Sequence, residues 1–410
     1  MSVIVFVTGE YPFGTGETFI ENEITALSNV FDNVLIYASE VSDSTDDMRT
    51  VPENVSVFAS GCSPVSKNNY KKSLRKKSVL REIKDHCLGS NTIGKISACC
   101  YFDQSVSESS KNISKFVDNN LDLLKNNKVI IYSYWLSNIG MTALNIYDNV
   151  KNVNSDIHIV SRCHRFDLYD ERAYLNYQPF KSEMIRRIER IFPCSEQGSD
   201  YLKRQYPEYS DKIQTSYLGV VDLFNGVLPA FDNILHIASC SNVIPVKRVD
   251  KILSALKCID KPVRWTHFGD GELFDELRES VKSLPENITV DLRGRVPNFE
   301  IYSFYQNENV NLFINVSSSE GLPVSIMEAV SFGIPIIATD VGGTKEIVLN
   351  NYNGVLLNEI FSNDDLVNAI NLFISMNEIE YSNYCKNSRM IYENKFSINN
   401  YYNFCKMLLS

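Results

Sequence analysis

Short β-branched runs separated by longer stretches of helical pattern occur twice over in this chain, and that alternation limits its fold more than any other feature. In the first half the runs are Val3 to Thr8, Val34 to Ala38, Val129 to Ser133 and Ile157 to Ser161. In the second they are Ile234 to Ser239, Arg264 to Phe268, Ile288 to Leu292, Leu312 to Val316 and Pro335 to Thr339. Parallel strands are buried on both faces and need a crossover helix between them, so the pattern predicts two parallel sheets built from βαβ units. A chain of 410 residues has room for both. The turn-rich stretch from Gly226 to Asp232 precedes the fresh strand at Ile234 and places the division at 1–228 and 229–389. Ligands of open α/β sheets sit beyond the carboxyl ends of the strands, so two such domains face to face predict a cleft that holds the chemistry.

Composition narrows the function classes. Hydrophobic residues at 44% and charged residues at 22% exclude bulk disorder, collagen-like repeats and a coiled coil. A net charge of -10 makes a poor general nucleic-acid binder, so no nucleic acid is expected as a partner. The start, Met1 to Thr8, lacks the basic and long apolar regions of a signal peptide, and no apolar run approaches the roughly 20 residues that cross a bilayer. The ten cysteines are scattered, with only Cys99 and Cys100 close together, which predicts neither a zinc site nor a disulfide framework and suits a reducing cytoplasm. One segment stands apart: Lys67 to Lys84 holds eight basic residues and one acid, with Tyr70, Leu74 and Ile83 at near-helical spacing. It reads either as a solvated helix face or as a contact with a membrane surface or lipid phosphate on the inner face of the plasma membrane.

The strongest motif is Ser317-Ser318-Ser319-Glu320-Gly321-Leu322-Pro323-Val324-Ser325-Ile326-Met327-Glu328-Ala329, directly after the run Leu312 to Val316. Pro323 suits the first turn of a helix and Gly333 its end, so a helix is expected from Pro323 to Phe332, with Glu320 on the loop at its mouth and Glu328 on the helix. A helix N-terminus offers unpaired N–H groups and about half a positive charge, a seat for a diphosphate. A carboxylate beside such a seat invites a sugar. Competing motifs fail: Gly14-Thr15-Gly16 has Phe19 where a dinucleotide fingerprint needs its third glycine, and Gly9 to Gly14 has Walker-A spacing with Thr15 in place of the lysine.

With the stretches Ile334 to Val348 and Asn353 to Leu357 that follow, the sequence resembles the retaining, nucleotide-sugar-dependent glycosyltransferases of family 4, which have the GT-B fold of two Rossmann-like domains. The resemblance covers most of the chain and is most specific from Leu312 to Leu357. Val243 to Asp250 resembles the segment after the first donor-domain strand, His267 to Leu273 its glycine turn, Arg293-Gly294-Arg295-Val296 its base-contacting loop, and Tyr11 to Glu17 the glycine loop after the first strand. The resemblance implies that Lys247 neutralises the donor diphosphate, Glu328 bonds the ribose and Glu320 positions the sugar. Gly16, Gly321, Leu322, Pro323, Arg295 and Val296 would complete the donor site. His164, after the run Ile157 to Ser161, matches the histidine that reaches over the sugar, although alone it reads as a core or loop histidine. Arg165 and Asp167 either hold the acceptor or pair with each other. The last helix, about 390–410, is implied to pack back on the first domain.

One departure matters: Asn242 stands where the family has an arginine five residues before the lysine, which removes a charge from the donor site, and Arg248 is the candidate to restore it. The Asp-x-Asp triplet of the other large glycosyltransferase fold is absent, so no cofactor and no metal are expected beyond the nucleotide-sugar co-substrate. The acceptor implied is a saccharide or lipid-linked saccharide of capsule, exopolysaccharide or O-antigen synthesis. Two alternatives stay open: a nucleotide-sugar 2-epimerase of the same architecture, and a non-catalytic sugar-nucleotide-binding partner subunit.

Overall fold

The computed structural model describes the chain except for residues 15, 18, 43–46, 67, 68 and 231. The described chain forms two compact units, Met1–Ser216 with Tyr401–Ser410, and Tyr217–Asn400.

The first unit holds a six-stranded sheet of β1 (Ser2–Thr8), β2 (Asn33–Ala38), β3 (Val55–Ala59), β4 (Lys128–Ser133), β5 (Ile157–Cys163) and β6 (Arg190–Pro193), in the order β3-β2-β1-β4-β5-β6. Every pairing is parallel, with Val5 opposite both Leu35 and Ile131. Alternation along the central strands sends Val3, Val5 and Val7 to one face, where they bury against Ile139, Ala143 and Ile146 of the helix Asn138–Val150. The opposite face is closed partly by the last ten residues. Phe404 stacks edge-on against Tyr132 and Phe192, and the Arg162 guanidinium lies 4.4 Å from its ring centroid. Arg162 is itself fully buried and pairs with Glu23 at 3.1 Å.

The second unit repeats the plan with β7 (Leu235–Cys240), β8 (Val263–Phe268), β9 (Ile288–Leu292), β10 (Leu312–Asn315), β11 (Ile336–Thr339) and β12 (Gly354–Leu357), ordered β12-β11-β10-β7-β8-β9 and all parallel. Its core joins Ile237, Trp265, Ile314 and Ile337 to Leu253, Leu256, Ile370 and Phe373 of the flanking helices. In each unit the strand order reverses between the first and fourth strands, the place at which open α/β sheets generally seat a ligand.

The division falls ahead of the Gly226 turn, at 216/217. Residues 217–228 are held within the second unit: Val220 pairs with Ser397, and Asp222 takes a 2.5 Å ion pair from Arg389. The turn at Gly226 is therefore an exposed loop of that unit, and the chain rejoins the first unit at 401 instead of about 390. The basic segment also differs from a single amphipathic helix. Lys67 and Asn68 lie outside the described residues; the segment beyond them contains two short helices, Tyr70–Ser73 and Lys77–Glu82, with Ser73, Val79 and Glu82 turned inward and Leu74 exposed.

Candidate functional site

The second unit brings Lys247 and Glu320 together beyond the ends of the neighbouring strands β7 and β10. The loop after β7 carries Lys247 and the loop after β10 carries Glu320; the backbone N–H of Ser318 donates to the Val246 carbonyl at 2.8 Å and ties the two loops to each other. Lys247 Nζ then donates to Glu320 Oε1 at 2.6 Å, with Asn315 Nδ2 on the same oxygen at 3.3 Å. The loop after β11 closes in from the other side. Gly342 has φ +56, and a Cβ there would stand 1.9 Å from the Glu320 carbonyl oxygen, so only glycine lets the two backbones meet. The N–H of Gly343 donates to the Gly321 carbonyl at 2.6 Å.

The helix at this mouth runs Val324–Ser331, one residue shorter at each end than its sequence predicts. Pro323 is its N-cap, with ψ 105, and its carbonyl accepts from the Ile326 and Met327 N–H groups at 3.1 and 3.2 Å, so the helix begins directly at the end of the Glu320 loop. Leu322 and Pro323 are buried and Gly321 is half-buried. Both glutamates point inward: Glu320 is 8% exposed and Glu328 is 6%. Glu328 Oε1 accepts from Asn298 Nδ2 at 3.0 Å and Tyr302 Oη at 3.1 Å, one helical turn apart on the helix Asn298–Asn307. Burial raises its carboxyl above the usual range, against these two donors. Cys240, at the end of β7, is pushed up to about 12 by burial and the Glu328 charge, with Lys247 pulling the other way. Sequence reading missed Asn298 and Tyr302; their four-residue spacing just beyond the Arg293 to Val296 loop was the available signal. Arg295 is exposed and Val296 half-buried on that loop.

Asn242 is exposed on the loop after β7, which Gly269 lets approach closely: a Cβ at Gly269 would lie 1.9 Å from the Ser241 carbonyl oxygen. Arg248 does not restore the missing charge at the seat. It has φ 50, and its guanidinium donates to the carbonyls of Val316, Ser317 and Glu359 at 2.6, 2.9 and 2.8 Å. Those bonds fix the end of β10 and hold the Glu320 loop in place.

In the first unit, His164 follows β5 and forms the N-cap of a one-turn helix, Arg165–Leu168. Its ring packs on Tyr134 at 4.6 Å and Trp135 at 4.8 Å between centroids. Burial, reinforced by the Arg162 charge, drives the imidazole down to about 3, so it is neutral near pH 7, and Nε2 has no hydrogen-bond partner among the described residues. Asp167 is spent on the backbone: its carboxylate accepts from the His164 N–H at 2.6 Å and the Leu136 N–H at 2.5 Å, while burial pushes it up to about 7. It therefore braces the turn that carries His164. Arg165 is half-buried at the head of that helix. Gly16 lies on the loop after β1, where its carbonyl accepts from Arg49.

Residues 228–390, which contain Lys247, Glu320 and Glu328, match the family model described as glycosyl transferases group 1. The second unit belongs to the group 1 glycosyl transferases. Relatives of this glycosyl transferase unit include an uncharacterized glycosyltransferase of Methanocaldococcus jannaschii, 34% identical over 122 residues, or 30% of this chain and 33% of that protein. They also include the putative colanic acid biosynthesis glycosyltransferase WcaL of Salmonella typhimurium, 25% identical over 207 residues, 48% of this chain and 50% of that one. The chain thus spans half the length or less of these relatives. Among solved structures, the lipopolysaccharide outer core galactosyltransferase WaaB superposes with a TM-score of 0.68 at 16% identity, covering 100% of this chain and 99% of its own. HepE from Anabaena, in complex with UDP and glucose, gives 0.66 at 15% identity, covering 99% and 98%. The fold is GT-B.

Proposed function

We propose that the protein transfers a sugar from a nucleotide diphosphate to a hydroxyl, with the anomeric configuration retained, in the assembly of a surface polysaccharide. The observation that carries this reading is the Lys247–Glu320 pair at the strand-order reversal of a group 1 glycosyl transferase unit, set at the mouth of the helix that buries Glu328. Lys247 offers an ammonium and the helix its first N–H groups to the diphosphate; both stabilise the negative charge that develops as the nucleotide departs, and losing one such donor costs about 100- to 1000-fold in rate. Glu328 takes the ribose hydroxyls, and Glu320 orients the sugar. Arg295 and Val296 meet the base, Asn242 bonds a phosphate oxygen without adding charge, and Gly16 approaches the donor. His164, neutral, donates or accepts a hydrogen bond at the sugar. No step of this scheme requires a metal ion.

HepE binds UDP and, in another of its structures, UDP-glucose, which makes UDP-sugars the first donors to test. WcaL, a putative colanic acid biosynthesis glycosyltransferase, and WaaB, a lipopolysaccharide outer core galactosyltransferase, support a saccharide acceptor, lipid-linked in our reading. Among the described residues no helix is long and apolar enough to cross a membrane. Lys71, Lys72, Arg75, Lys77, Arg81 and Lys84 are all exposed, with Leu74 and Leu80 exposed among them, and we assign this surface to an anionic membrane, each cation contributing about 1 kcal/mol. Flotation with anionic vesicles at rising salt checks that assignment; absence of binding at low salt removes it.

A thermal-shift screen of UDP-, GDP- and ADP-sugars tests the main reading. A stabilising donor that Lys247→Ala abolishes is expected, followed by product with the donor's anomeric configuration by NMR. Stabilisation by none of these donors refutes it.

A further inference from the structure

The first βα turn of the first unit carries an arrangement that the scheme above leaves unused. Just after β1 the backbone N–H groups of Gly9, Glu10 and Tyr11 converge, and all three donate to one carboxylate, that of Glu17, at 3.2, 2.8 and 2.7 Å. Trp135, on the loop after β4, adds its indole N–H to the same carboxylate at 2.6 Å. Since β1 and β4 are the neighbours at which the strand order reverses, this carboxylate occupies the point where a Rossmann-like unit seats a phosphate. Successive N–H groups converging in this way form an anion-binding concavity, and here the anion belongs to the chain.

Three further observations show that the seat is built for this occupant. Gly9 leaves the space, because a Cβ there would stand 3.1 Å from Glu17 Oε1. Glu17 has φ 52, a conformation that costs a residue with a side chain about 1 kcal/mol or more and is sustained by the bonds its carboxylate makes. Other acids surround it. A Cβ at Gly9 would also lie 3.2 Å from Glu40 Oε2, and the charges of Glu17 and Glu10 add to burial in raising the Glu40 carboxyl. A phosphate entering the turn meets this field. Arg49 meanwhile holds the loop tip by its carbonyls, donating to Gly14 at 2.9 Å and to Gly16.

We propose that Glu17 is a positioning residue that fills the phosphate seat of the first unit with its own charge. The root of the glycine loop is thereby closed to the nucleotide, its tip at Gly14 and Gly16 is held for contact, and the diphosphate is left to the seat beside Lys247. The last clause rests on the glycosyl-transfer reading; the filled seat does not.

The chain has two tryptophans, and they make the test direct. Trp135 reports this seat, and Trp265, whose indole donates to Ser239 Oγ at 2.8 Å in the second unit, serves as the control. Indole nitrogen–proton resonances are followed while inorganic phosphate is added. In the unaltered protein the Trp135 resonance is expected to stay in place. In Glu17→Gly, which suits the positive φ, phosphate enters the vacated seat and moves Trp135 while Trp265 stays. In Glu17→Gln the Trp135 resonance is displaced without any phosphate, because a charged acceptor has become a neutral one. A Trp135 resonance that phosphate moves equally in the unaltered protein, or leaves unmoved in folded Glu17→Gly, overturns the proposal. If the glycine variant fails to fold, an undisplaced Trp135 resonance in Glu17→Gln overturns it. Nucleotide-sugar titrations of the same proteins report on the transfer reading separately, since a protein that binds none of the donors still gives the phosphate result.

Discussion

Lys247 has two claims on it, and their competition sets a measurable expectation. In the free protein its ammonium is 2.6 Å from Glu320 Oε1, and the Glu320 side chain is 9% exposed. At that distance unit charges attract by roughly 6 kcal/mol at an effective dielectric constant of about 20. Desolvation of the pair takes back most of that, leaving about 1.5–3 kcal/mol for a charge-assisted hydrogen bond. In the proposed scheme a bound diphosphate draws on the same ammonium. Glu320→Gln keeps the shape and removes the competing charge, so the nucleoside diphosphate of the donor is expected to bind about tenfold more tightly while sugar transfer falls by about 100-fold or more. Lys247→Ala is expected to weaken the diphosphate by a similar factor and to lose transfer as well. Isothermal titration with the diphosphate, beside a product assay with the whole donor, measures both. Tenfold weaker diphosphate binding by Glu320→Gln would show that the carboxylate supports the phosphates instead of competing with them, and would refute the assignment of Glu320 to the sugar.

Three other expectations follow from the same region and its core. Gly342→Ala places a Cβ against the Glu320 carbonyl at a positive φ, and chemical denaturation should show a loss of about 3 kcal/mol or more together with loss of donor binding; a neutral result removes the close approach of the two loops. Asn242→Arg should tighten the nucleoside diphosphate about tenfold through an added charge, and an unchanged dissociation constant places residue 242 away from the phosphates. His267 is fully buried, bonded through Nδ1 to Ser239 at 2.8 Å, and burial holds it down to about 4 against an ordinary 6.5. The folded chain then binds fewer protons than the unfolded one between those values, so stability is full above pH 6.5 and falls as pH drops through the window, by about 3 kcal/mol from this group; a denaturation midpoint that stays flat from pH 7 to 4 contradicts it.

Much of the fold was legible because buried parallel strands announce themselves as β-branched runs. The three strands that the periodicity did not pick out are short or diluted: Val55–Ala59 alternates with a serine, Arg190–Pro193 has four residues and ends in proline, and Gly354–Leu357 opens on glycine. The mouth of the Val324–Ser331 helix could be read from Pro323, Gly333 and the two glutamates, since capping chemistry is local. Arg248 was misjudged because its left-handed φ turns the guanidinium toward strand-end carbonyls, which spacing does not encode. The pairing of Glu23 with Arg162 joins residues 139 positions apart, and no single sequence shows such a contact. Glu17 had a signal, a carboxylate directly after a glycine loop, but its meaning appears only once Trp135 arrives from the next central strand.

Arg162 sits in the fully buried face of the first sheet, and its guanidinium is roofed by Phe404 and Tyr401. Residue 404 follows residue 162 by 242 positions, so a ribosome emits that charge long before its lid exists. Until residue 404 emerges, the early half is a nascent body with an uncapped cation, and a stop codon shortly before that position would damage the part of the protein that was translated first.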